Sequence, residues 1–266
     1  MKTIAIIGAG NMGGAIARGL SQGSIFSAKN IIVSDISEVN LQAIKTFNSE
    51  IQTTKENKDA VKNADIILFA VKPWLVEPIV ADIKNVLNYD KQIIVSIAAG
   101  VSFEQLNLFL KKENSKPTLF RIIPNIAIDV LQSVSTIVSY NANKEQENFI
   151  ISVFNELGKA FFVASESQLN AFMALSSCGI AYAFRYIRAA VEGGVEMGIY
   201  PNVAKEVVMQ TLRGAIDLLE KNESHPEIEI DKVTTPGGIT IKGLNEMEAN
   251  GFSNAVIKGL KASLIK

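Results

Sequence analysis

Residues 3–13, Thr3-Ile4-Ala5-Ile6-Ile7-Gly8-Ala9-Gly10-Asn11-Met12-Gly13, decide the fold class of the first half of this 266-residue chain. An apolar run is followed at once by the spacing G-x-G-x-x-G and then by a helix-like segment at residues 15–20. Glycines in such a turn let the backbone approach a pyrophosphate, and the helix N-terminus offers free N–H donors to it. The stretch predicts a dinucleotide site, and the alternative is a tight strand-helix turn without a ligand. The predicted cofactor contacts here are Gly8, Gly10, Asn11, Met12 and Gly13.

An acidic residue follows the next apolar run, residues 30–34, at the distance that dinucleotide-binding folds use. Asp35 lies about 20 residues beyond the glycine turn. A carboxylate there accepts hydrogen bonds from an adenosine ribose and repels a 2′-phosphate, which favours NADH. The alternative interpretation is structural: Asp35 starts a turn, or caps a helix that begins after Ser37.

The other apolar runs of the first half are nearly continuous in Ile, Val and Ala, which is typical of strands covered on both faces. The predicted strands are 3–7, 30–34, 66–71 and 92–97, with 118–123 and 135–139 as further candidates. Ser102 and Gln105 form a predicted capping box for a helix that runs to about residue 112, and another helix is predicted over residues 144–157. This alternation predicts an α/β domain with a doubly wound, mostly parallel sheet of the Rossmann type.

After residue 163 the pattern changes to helices alone. Residues 167–197 contain no proline and are apolar on most sides, and a further helix is predicted from Pro201 to about Lys221. A helix that is apolar all round needs burial on every face, so we expect a second copy of the chain to cover it. We predict a dinucleotide-binding domain over residues 1–163 and an all-helical dimerisation and substrate-binding domain over residues 164–266.

Composition excludes several classes of partner. Lys and Arg number 26 against 27 Asp and Glu, so the chain has no basic footprint for nucleic acid or an anionic membrane. No apolar run approaches the roughly 18 residues that a membrane span needs. The single cysteine, Cys178, and the single histidine, His225, cannot together form a common zinc site. We expect a cytoplasmic protein without a metal.

A second turn suited to an anion lies late in the chain, where the sequence reads Val233-Thr234-Thr235-Pro236-Gly237-Gly238-Ile239-Thr240. Consecutive N–H groups in such a turn, followed by a helix N-terminus, bind a small carboxylate. An ordinary helix-start loop would have the same pattern, so both interpretations stay open at this point.

Taken together, these motifs resemble the pyrroline-5-carboxylate reductase family over nearly the whole chain. The segments that carry the resemblance are residues 8–13, Asn57, Val71-Lys72-Pro73, residues 96–101, Pro124-Asn125, His225-Pro226 and Pro236-Gly237-Gly238 with Thr240. Val-Lys-Pro together with the late Pro-Gly-Gly-x-Thr is the most specific part.

The resemblance implies a reduction of the cyclic imine 1-pyrroline-5-carboxylate to L-proline by hydride from NAD(P)H, the last step of proline biosynthesis. It implies that the substrate carboxylate lies on backbone N–H groups of Thr235, Gly237, Gly238 and Ile239. Thr240 would act as the catalytic residue by hydrogen-bonding the ring nitrogen. Further implied cofactor contacts are Asn57, Val71, Lys72 and Pro73. The family habit favours NADPH, against the NADH that Asp35 favours, and the helical half would form a homodimer that could assemble further into a ring.

The chain departs from the family pattern in two segments expected near the active site. Ile126 and Ala127 replace a threonine and a proline, while Ser177 and Ile180 replace a glycine and a proline. Two alternatives therefore stay open. One is a related imine or hydroxyacid reductase acting on another small carboxylate, and the other is a non-catalytic dinucleotide-binding protein.

Overall fold

The computed structural model describes residues 2–113 and 116–264. The chain forms two compact units, Met1–Ser177 and Cys178–Lys266. The first unit is an α/β unit and the second is helical, so the predicted fold class is confirmed. The functional boundary after residue 163 stays a prediction.

The described residues of the first unit form an eight-stranded sheet. Its strands are β1 (Ile4–Ile7), β2 (Ile31–Ser34), β3 (Gln52–Thr54), β4 (Ile66–Phe69), β5 (Ile93–Ser96), β6 (Thr118–Ile123), β7 (Ser133–Tyr140) and β8 (Gly158–Phe162). Their order is β3-β2-β1-β4-β5-β6-β7-β8, and every pair is parallel except β6 with β7. The chain order reverses at β1, and ligands of doubly wound sheets bind at such a switch point.

Helices cover both faces of the sheet, which explains the continuous apolar strands. Those of the first unit are α1 (Asn11–Leu20), α2 (Glu38–Phe47), α3 (Asn57–Val61), α4 (Pro73–Ile83), α5 (Phe103–Phe109), α6 (Lys144–Asn155) and α7 (Leu169–Met173). Along β1, Ile4 and Ile6 pack into one core with α1, α2 and α6, whereas Ala5 and Ile7 pack into the other core with α3, α4 and α5. Alternate side chains of one strand thus enter opposite cores.

Two strands that were not predicted are present, and several element ends differ from the prediction by a few residues, such as α6, which ends at Asn155 instead of residue 157. β3 and β8 are edge strands with mostly half-buried or exposed side chains, so they lack the apolar run that marks a buried strand. The predicted capping box of Ser102 and Gln105 is confirmed. The helix that it starts ends at Phe109 instead of near residue 112, and the Leu110 carbonyl accepts the Tyr89 hydroxyl at 2.6 Å.

The predicted helical stretch 167–197 is divided among a 3₁₀ helix (Glu166–Gln168), α7, a π-helical segment (Ala174–Cys178) and α8 (Gly179–Glu196). The remaining helices are α9 (Pro201–Asn222), α10 (Pro226–Val233), α11 (Ile239–Ala249) and α12 (Phe252–Ala262). Many apolar side chains of the second unit are exposed in the single chain, including Phe184, Met197, Ile216 and Ile257. Exposed apolar surface of this extent is typical of a subunit interface. None of the helices in the described part of the chain is both long and apolar enough for a membrane crossing.

Candidate active site

The glycine turn after β1 has the geometry of a dinucleotide-binding turn. Gly8 has a φ of +101°, and a Cβ there would lie 2.6 Å from the Ala70 carbonyl oxygen. A Cβ on Gly13 would lie 2.0 Å from the Gly8 carbonyl oxygen, so α1 approaches the turn closely. At Gly10 a Cβ would meet nothing within 4 Å. These are the three roles that the motif assigns: a tight turn, an open approach for the pyrophosphate and close helix packing.

The N-terminus of α1 has donors to offer. Gly10 is its N-cap residue, and among the described residues no side chain caps this end and no acidic residue lies in its first turn. The first N–H groups of a helix have no partner within it, and the helix dipole favours an anion there. The turn opens onto a cleft of about 600 Å³. The predicted cofactor residues that line this cleft are Gly8, Gly10, Asn11, Met12, Asp35, Val71, Lys72 and Pro73.

Ile97, Ala98 and Ala99 also line the cleft, a position that sequence reasoning did not assign. They follow β5, whose carboxyl end lies at the same sheet edge as those of β1 and β4 because these strands are parallel. The signal was available as a turn motif directly after an apolar strand. Gly13 lies behind the turn and is buried.

The Asp35 carboxylate is held by three donors. Its Oδ2 accepts hydrogen bonds from the Ala9 N–H at 2.6 Å and from Asn40 Nδ2 at 3.3 Å, and its Oδ1 accepts from the Ser37 N–H at 2.8 Å. Ser37 is the N-cap of α2, and its hydroxyl oxygen accepts from the Asn40 N–H. The structural interpretation of Asp35 as a turn residue therefore holds, and the carboxylate also faces the cleft.

Asn57, the first residue of α3, is oriented by a residue that sequence reasoning missed. The hydroxyl of Ser34 donates to Asn57 Oδ1 at 2.8 Å, and Ser34 is fully buried at the end of β2. Because this bond uses the acceptor side of the amide, the Nδ2 donors are the part of Asn57 left for a ligand. A polar residue closing an apolar strand was the only sequence signal.

Asn125 is a buried polar residue at the carboxyl end of β6. Its Oδ1 accepts from the Ala127 N–H at 3.1 Å, and its Nδ2 donates to the Ser176 carbonyl oxygen at 3.3 Å. Of the four departures from the family pattern, Ile126 lines a cavity of about 310 Å³ that Asn11 and Met12 of the glycine turn also line. Ala127 is in the same turn and is half-buried.

The remaining departures lie further along the chain. The Ser177 hydroxyl donates to the Pro124 carbonyl oxygen at 3.2 Å, so it has a partner within the first unit. Ile180 lies in the first turn of α8.

The late Thr/Gly turn belongs to the second unit. The Gly238 N–H donates to the Thr235 carbonyl oxygen at 2.9 Å, with Pro236 and Gly237 between them. Gly237 has a φ of +72°, so this is a type II turn with proline and glycine at their preferred positions. α11 begins directly afterwards, and Ile239 and Thr240 in its first turn are exposed. Of the predicted carboxylate donors, the Gly238 N–H already has a partner in the turn.

α10, the helix before this turn, is stabilised by hydrogen bonds to a carboxylate and by its N-cap residue. His225 is the N-cap of α10, and its Nδ1 accepts from the Glu227 N–H at 3.3 Å. Hydrogen bonds from Lys232, then from Ser224 and Asn222, lower the pKa of Glu229 to about 2. Glu229 therefore ties the end of α9 to α10, the helix that leads into the late turn.

Comparison with known proteins decides the family. Residues 166–266 match the family described as pyrroline-5-carboxylate reductase dimerisation, and residues 3–100 match the one described as NADP oxidoreductase, coenzyme F420-dependent. Pyrroline-5-carboxylate reductase 2 of Dictyostelium discoideum is 34% identical over 100% of this chain and 92% of its own length. The chain belongs to the pyrroline-5-carboxylate reductase family. Reductase 1 of the same organism is 37% identical over 98% of this chain, which spans 48% of that longer relative.

Solved pyrroline-5-carboxylate reductases have the same fold. The structure from Coxiella burnetii has a TM-score of 0.90 at 28% identity and covers 99% of this chain and 96% of its own. The NADP-bound structure from Plasmodium falciparum has a TM-score of 0.86 at 25% identity and covers 99% and 95%. The predicted pyrroline-5-carboxylate reductase family, with its oxidoreductase class, Rossmann-type domain and helical dimerisation domain, is confirmed.

Proposed function

We propose that the chain reduces 1-pyrroline-5-carboxylate to L-proline with a nicotinamide dinucleotide bound in the cleft beside the glycine turn. The observation that carries this proposal is that each of the two units of this family member contains a turn suited to an anion. One is the open glycine turn before α1, and the other is the Pro236-Gly237 turn before α11. The first suits a pyrophosphate and the second suits a small carboxylate.

The cleft fits a dinucleotide because its backbone leaves room where a side chain would stand. Gly10 faces open space, and the α1 N-terminus directs its first N–H groups there. Asp35 and Asn57 would contact the adenosine half, and Val71, Lys72 and Pro73 would border the turn. A bound NAD(P)H would supply the hydride. The protein would bind the dinucleotide and hold its nicotinamide in one orientation toward the substrate.

The substrate end would bind the carboxylate and orient the imine. The N–H groups of Gly237 and Ile239, with that of Thr235 at the edge, would form the carboxylate site, and Gly238 would shape it through the turn bond of its N–H to the Thr235 carbonyl oxygen. The Thr240 hydroxyl would hydrogen-bond the ring nitrogen. The protonated imine carries the charge that attracts the hydride, so positioning supplies most of what the reaction needs from the protein. One hydride and one proton convert the C=N bond into the C–N bond of proline, and the dinucleotide is oxidised.

We further propose a preference for NADH over NADPH. Two backbone N–H groups at the start of α2 already have acceptors. The Ser37 N–H donates to the Asp35 carboxylate, and the Asn40 N–H donates to the Ser37 hydroxyl oxygen. Donors that could hold a 2′-phosphate are thus already used, and the carboxylate adds a negative charge. Lys55, a nearby cation, pairs with Glu38 at 2.7 Å.

The family match over residues 166–266 indicates that the chain oligomerises through its helical half. We propose a homodimer through these helices, with a substrate-binding domain over residues 164–266. The molar mass from light scattering distinguishes a dimer from a ring of dimers. The exposed apolar side chains of the second unit support association.

Initial rates test the function directly. We expect oxidation of both NADH and NADPH to depend on 1-pyrroline-5-carboxylate, with the higher kcat/KM for NADH. Thr240→Val removes the hydroxyl at nearly constant volume and should lower kcat while the dinucleotide Kd stays unchanged, whereas Thr240→Ser should retain most of the rate.

Other results would change the proposal. Turnover only on another cyclic imine or on a hydroxyacid would favour the related-reductase alternative, which the exposed Ile126 motivates. Dinucleotide binding without turnover on any of these substrates would favour a non-catalytic protein.

A further inference from the structure

The turn after β6 and the π-helical segment are joined by two reciprocal hydrogen bonds. Asn125 Nδ2 donates to the Ser176 carbonyl oxygen at 3.3 Å, and Ser177 Oγ donates to the Pro124 carbonyl oxygen at 3.2 Å. Two adjacent residues on each side thus exchange side-chain donors for backbone acceptors. We call this pair of bonds the Asn125–Ser177 clamp.

The Asn125 side chain, which provides one bond of the clamp, is buried, and Asn125 makes further hydrogen bonds. Asn125 is 4% exposed, its N–H donates to Ser133 Oγ at 3.1 Å, and its Oδ1 accepts from the Ala127 N–H. A buried amide with all of these partners has one orientation, because any other would leave polar atoms unpaired. Its Nδ2 is therefore directed at the π-helical segment by the fold.

π-Helical segments are uncommon and occur frequently at functional sites. The one here, Ala174–Cys178, contains both Ser176, whose carbonyl accepts from Asn125, and Ser177, whose hydroxyl donates to Pro124. The clamp therefore joins an irregular helical turn to the carboxyl end of a central strand.

The clamped turn borders the cofactor cleft on the side away from Asp35. β6 is parallel to β5, β4 and β1, so residues 124–128 lie at the sheet edge that carries the glycine turn. Ile126 lines a cavity that Asn11 and Met12 of the glycine turn also line. Asp35, the proposed adenosine contact, follows β2 on the other side of β1. The β6 side is thus where the nicotinamide end of a bound dinucleotide would extend.

We propose that the Asn125–Ser177 clamp fixes the turn beside the reacting end of the cofactor, and that Ser177 is a positioning residue for hydride transfer. This inference rests on the proposed reductase activity. Ser177 does not touch the reacting atoms; it holds the Pro124 carbonyl and so the start of the turn that presents Ile126. Loss of the Ser177 hydrogen bond lets the turn shift relative to Met12. The distance between the hydride donor and the acceptor carbon then varies over a wider range. Small displacements of this kind lower kcat more than they lower binding.

The chain offers a matched control one residue away. Ser176 also has a hydroxyl in the π-helical segment, but that hydroxyl donates to the Phe172 carbonyl oxygen at 2.7 Å, within the same helical stretch. Ser177→Ala removes a bond of the clamp, whereas Ser176→Ala removes a bond of the same type and leaves the clamp intact.

The test compares both variants with the wild type in the full chain. The measurements are kcat and KM for 1-pyrroline-5-carboxylate, the NADH Kd, the primary isotope effect with NADH deuterated at the transferred position, and amide hydrogen exchange over residues 124–128. For Ser177→Ala we expect kcat to fall about fivefold, the factor typical of one lost hydrogen bond, with an altered isotope effect and faster exchange. The NADH Kd should stay unchanged, and Ser176→Ala should match the wild type. Ser177→Thr, which keeps the hydroxyl, should restore the rate.

Three results would overturn the inference. They are equal kinetics in Ser177→Ala and Ser176→Ala, a loss in Ser177→Ala that lies wholly in the NADH Kd, and faster exchange over residues 124–128 without any change in kcat. A wild type without turnover would instead refute the reductase function on which the inference rests. Should Ser177→Ala fail to fold, Ser177→Cys keeps the volume with a weak donor and takes its place.

Discussion

The Oδ2 atom of Asp35 accepts a hydrogen bond from the backbone N–H of Ala9 at 2.6 Å, across 26 positions of sequence. This bond ties the acidic residue after β2 to the glycine turn after β1. The charge proposed to select the cofactor is therefore anchored to the loop proposed to bind its pyrophosphate. We therefore expect a change at Asp35 to affect both dinucleotide binding and the choice between NADH and NADPH.

Asp35→Asn should shift the cofactor preference toward NADPH. The amide keeps the side-chain shape and one acceptor but removes the negative charge that would face a 2′-phosphate. We expect the ratio of kcat/KM for NADPH to that for NADH to rise roughly tenfold, the effect of about 1.4 kcal/mol. Parallel initial-rate measurements with the two dinucleotides give the ratio. Glu50→Gln is the control, since it removes an exposed negative charge before β3, at the opposite edge of the sheet from Asp35, and an equal shift there would contradict the role of Asp35.

Alanine substitutions at two glycines of this segment should affect different properties, dinucleotide affinity at Gly10 and stability at Gly13. Gly10→Ala places a methyl group in open space, so the free energy of unfolding should change by less than about 0.5 kcal/mol while dinucleotide affinity falls. Gly13→Ala places a Cβ 2.0 Å from the Gly8 carbonyl oxygen and should cost about 1–3 kcal/mol of stability. Urea unfolding and dinucleotide titration separate the two effects.

Gly214→Ala provides the baseline for that comparison. Gly214 lies within α9, and a Cβ there meets nothing within 4 Å. We expect unchanged dinucleotide affinity in this variant. A loss of affinity in Gly10→Ala no larger than that in Gly214→Ala would rule out Gly10 as the approach point for the pyrophosphate.

Ser34→Ala should weaken dinucleotide binding through Asn57. Without the hydroxyl, the Asn57 amide loses the bond that keeps Nδ2 available, so we expect the dinucleotide Kd to rise by about threefold to tenfold. Isothermal titration of Ser34→Ala, Asn57→Ala and the double variant measures the coupling. Because Ser34 acts through Asn57, the double variant should bind no more weakly than Asn57→Ala. Additive losses would mean that Ser34 acts by another route.

Glu229 should make the stability of the helical unit depend on acid pH. Its pKa is lowered from 4.5 to about 2, chiefly by the hydrogen bond from Lys232, so its stabilising contribution is complete above pH 4.5. That contribution is lost as the pH falls from 4.5 toward 2. We expect Glu229→Gln to be less stable than the wild type at pH 7, with the difference shrinking over that range.

Urea unfolding at a series of pH values measures the Glu229 effect. Glu227→Gln is the matched control because Glu227 lies in the first turn of the same helix and is exposed. A difference between the wild type and Glu229→Gln that stays constant down to pH 2 would show that the lowered pKa does not contribute to stability.

Local sequence was sufficient to predict a structural feature wherever one short segment contains the whole pattern that indicates it. The glycine turn, the capping box at Ser102 and the apolar strands are of this kind, because turn geometry, helix caps and burial on both faces each leave a pattern within a few residues. The edge strands β3 and β8 leave no such pattern, since half-exposed strands carry mixed side chains.

The amino-acid sequence was enough to predict the fold class, the glycine turn after β1 and the family. The three-dimensional fold was needed to show which groups form hydrogen bonds: the Ser34 hydroxyl with the Asn57 side chain across 23 positions, the Asp35 carboxylate with the Ala9 N–H across 26, and the Ser177 hydroxyl with the Pro124 carbonyl oxygen across 53. The physical reason is that a hydrogen bond depends on distance and angle, which the packing of strands and helices sets, whereas a strand or a turn depends on neighbours along the chain. Asp35 illustrates both, because its type, its position and its role in the turn before α2 were evident from the sequence, whereas its bond to Ala9 became evident only from the fold.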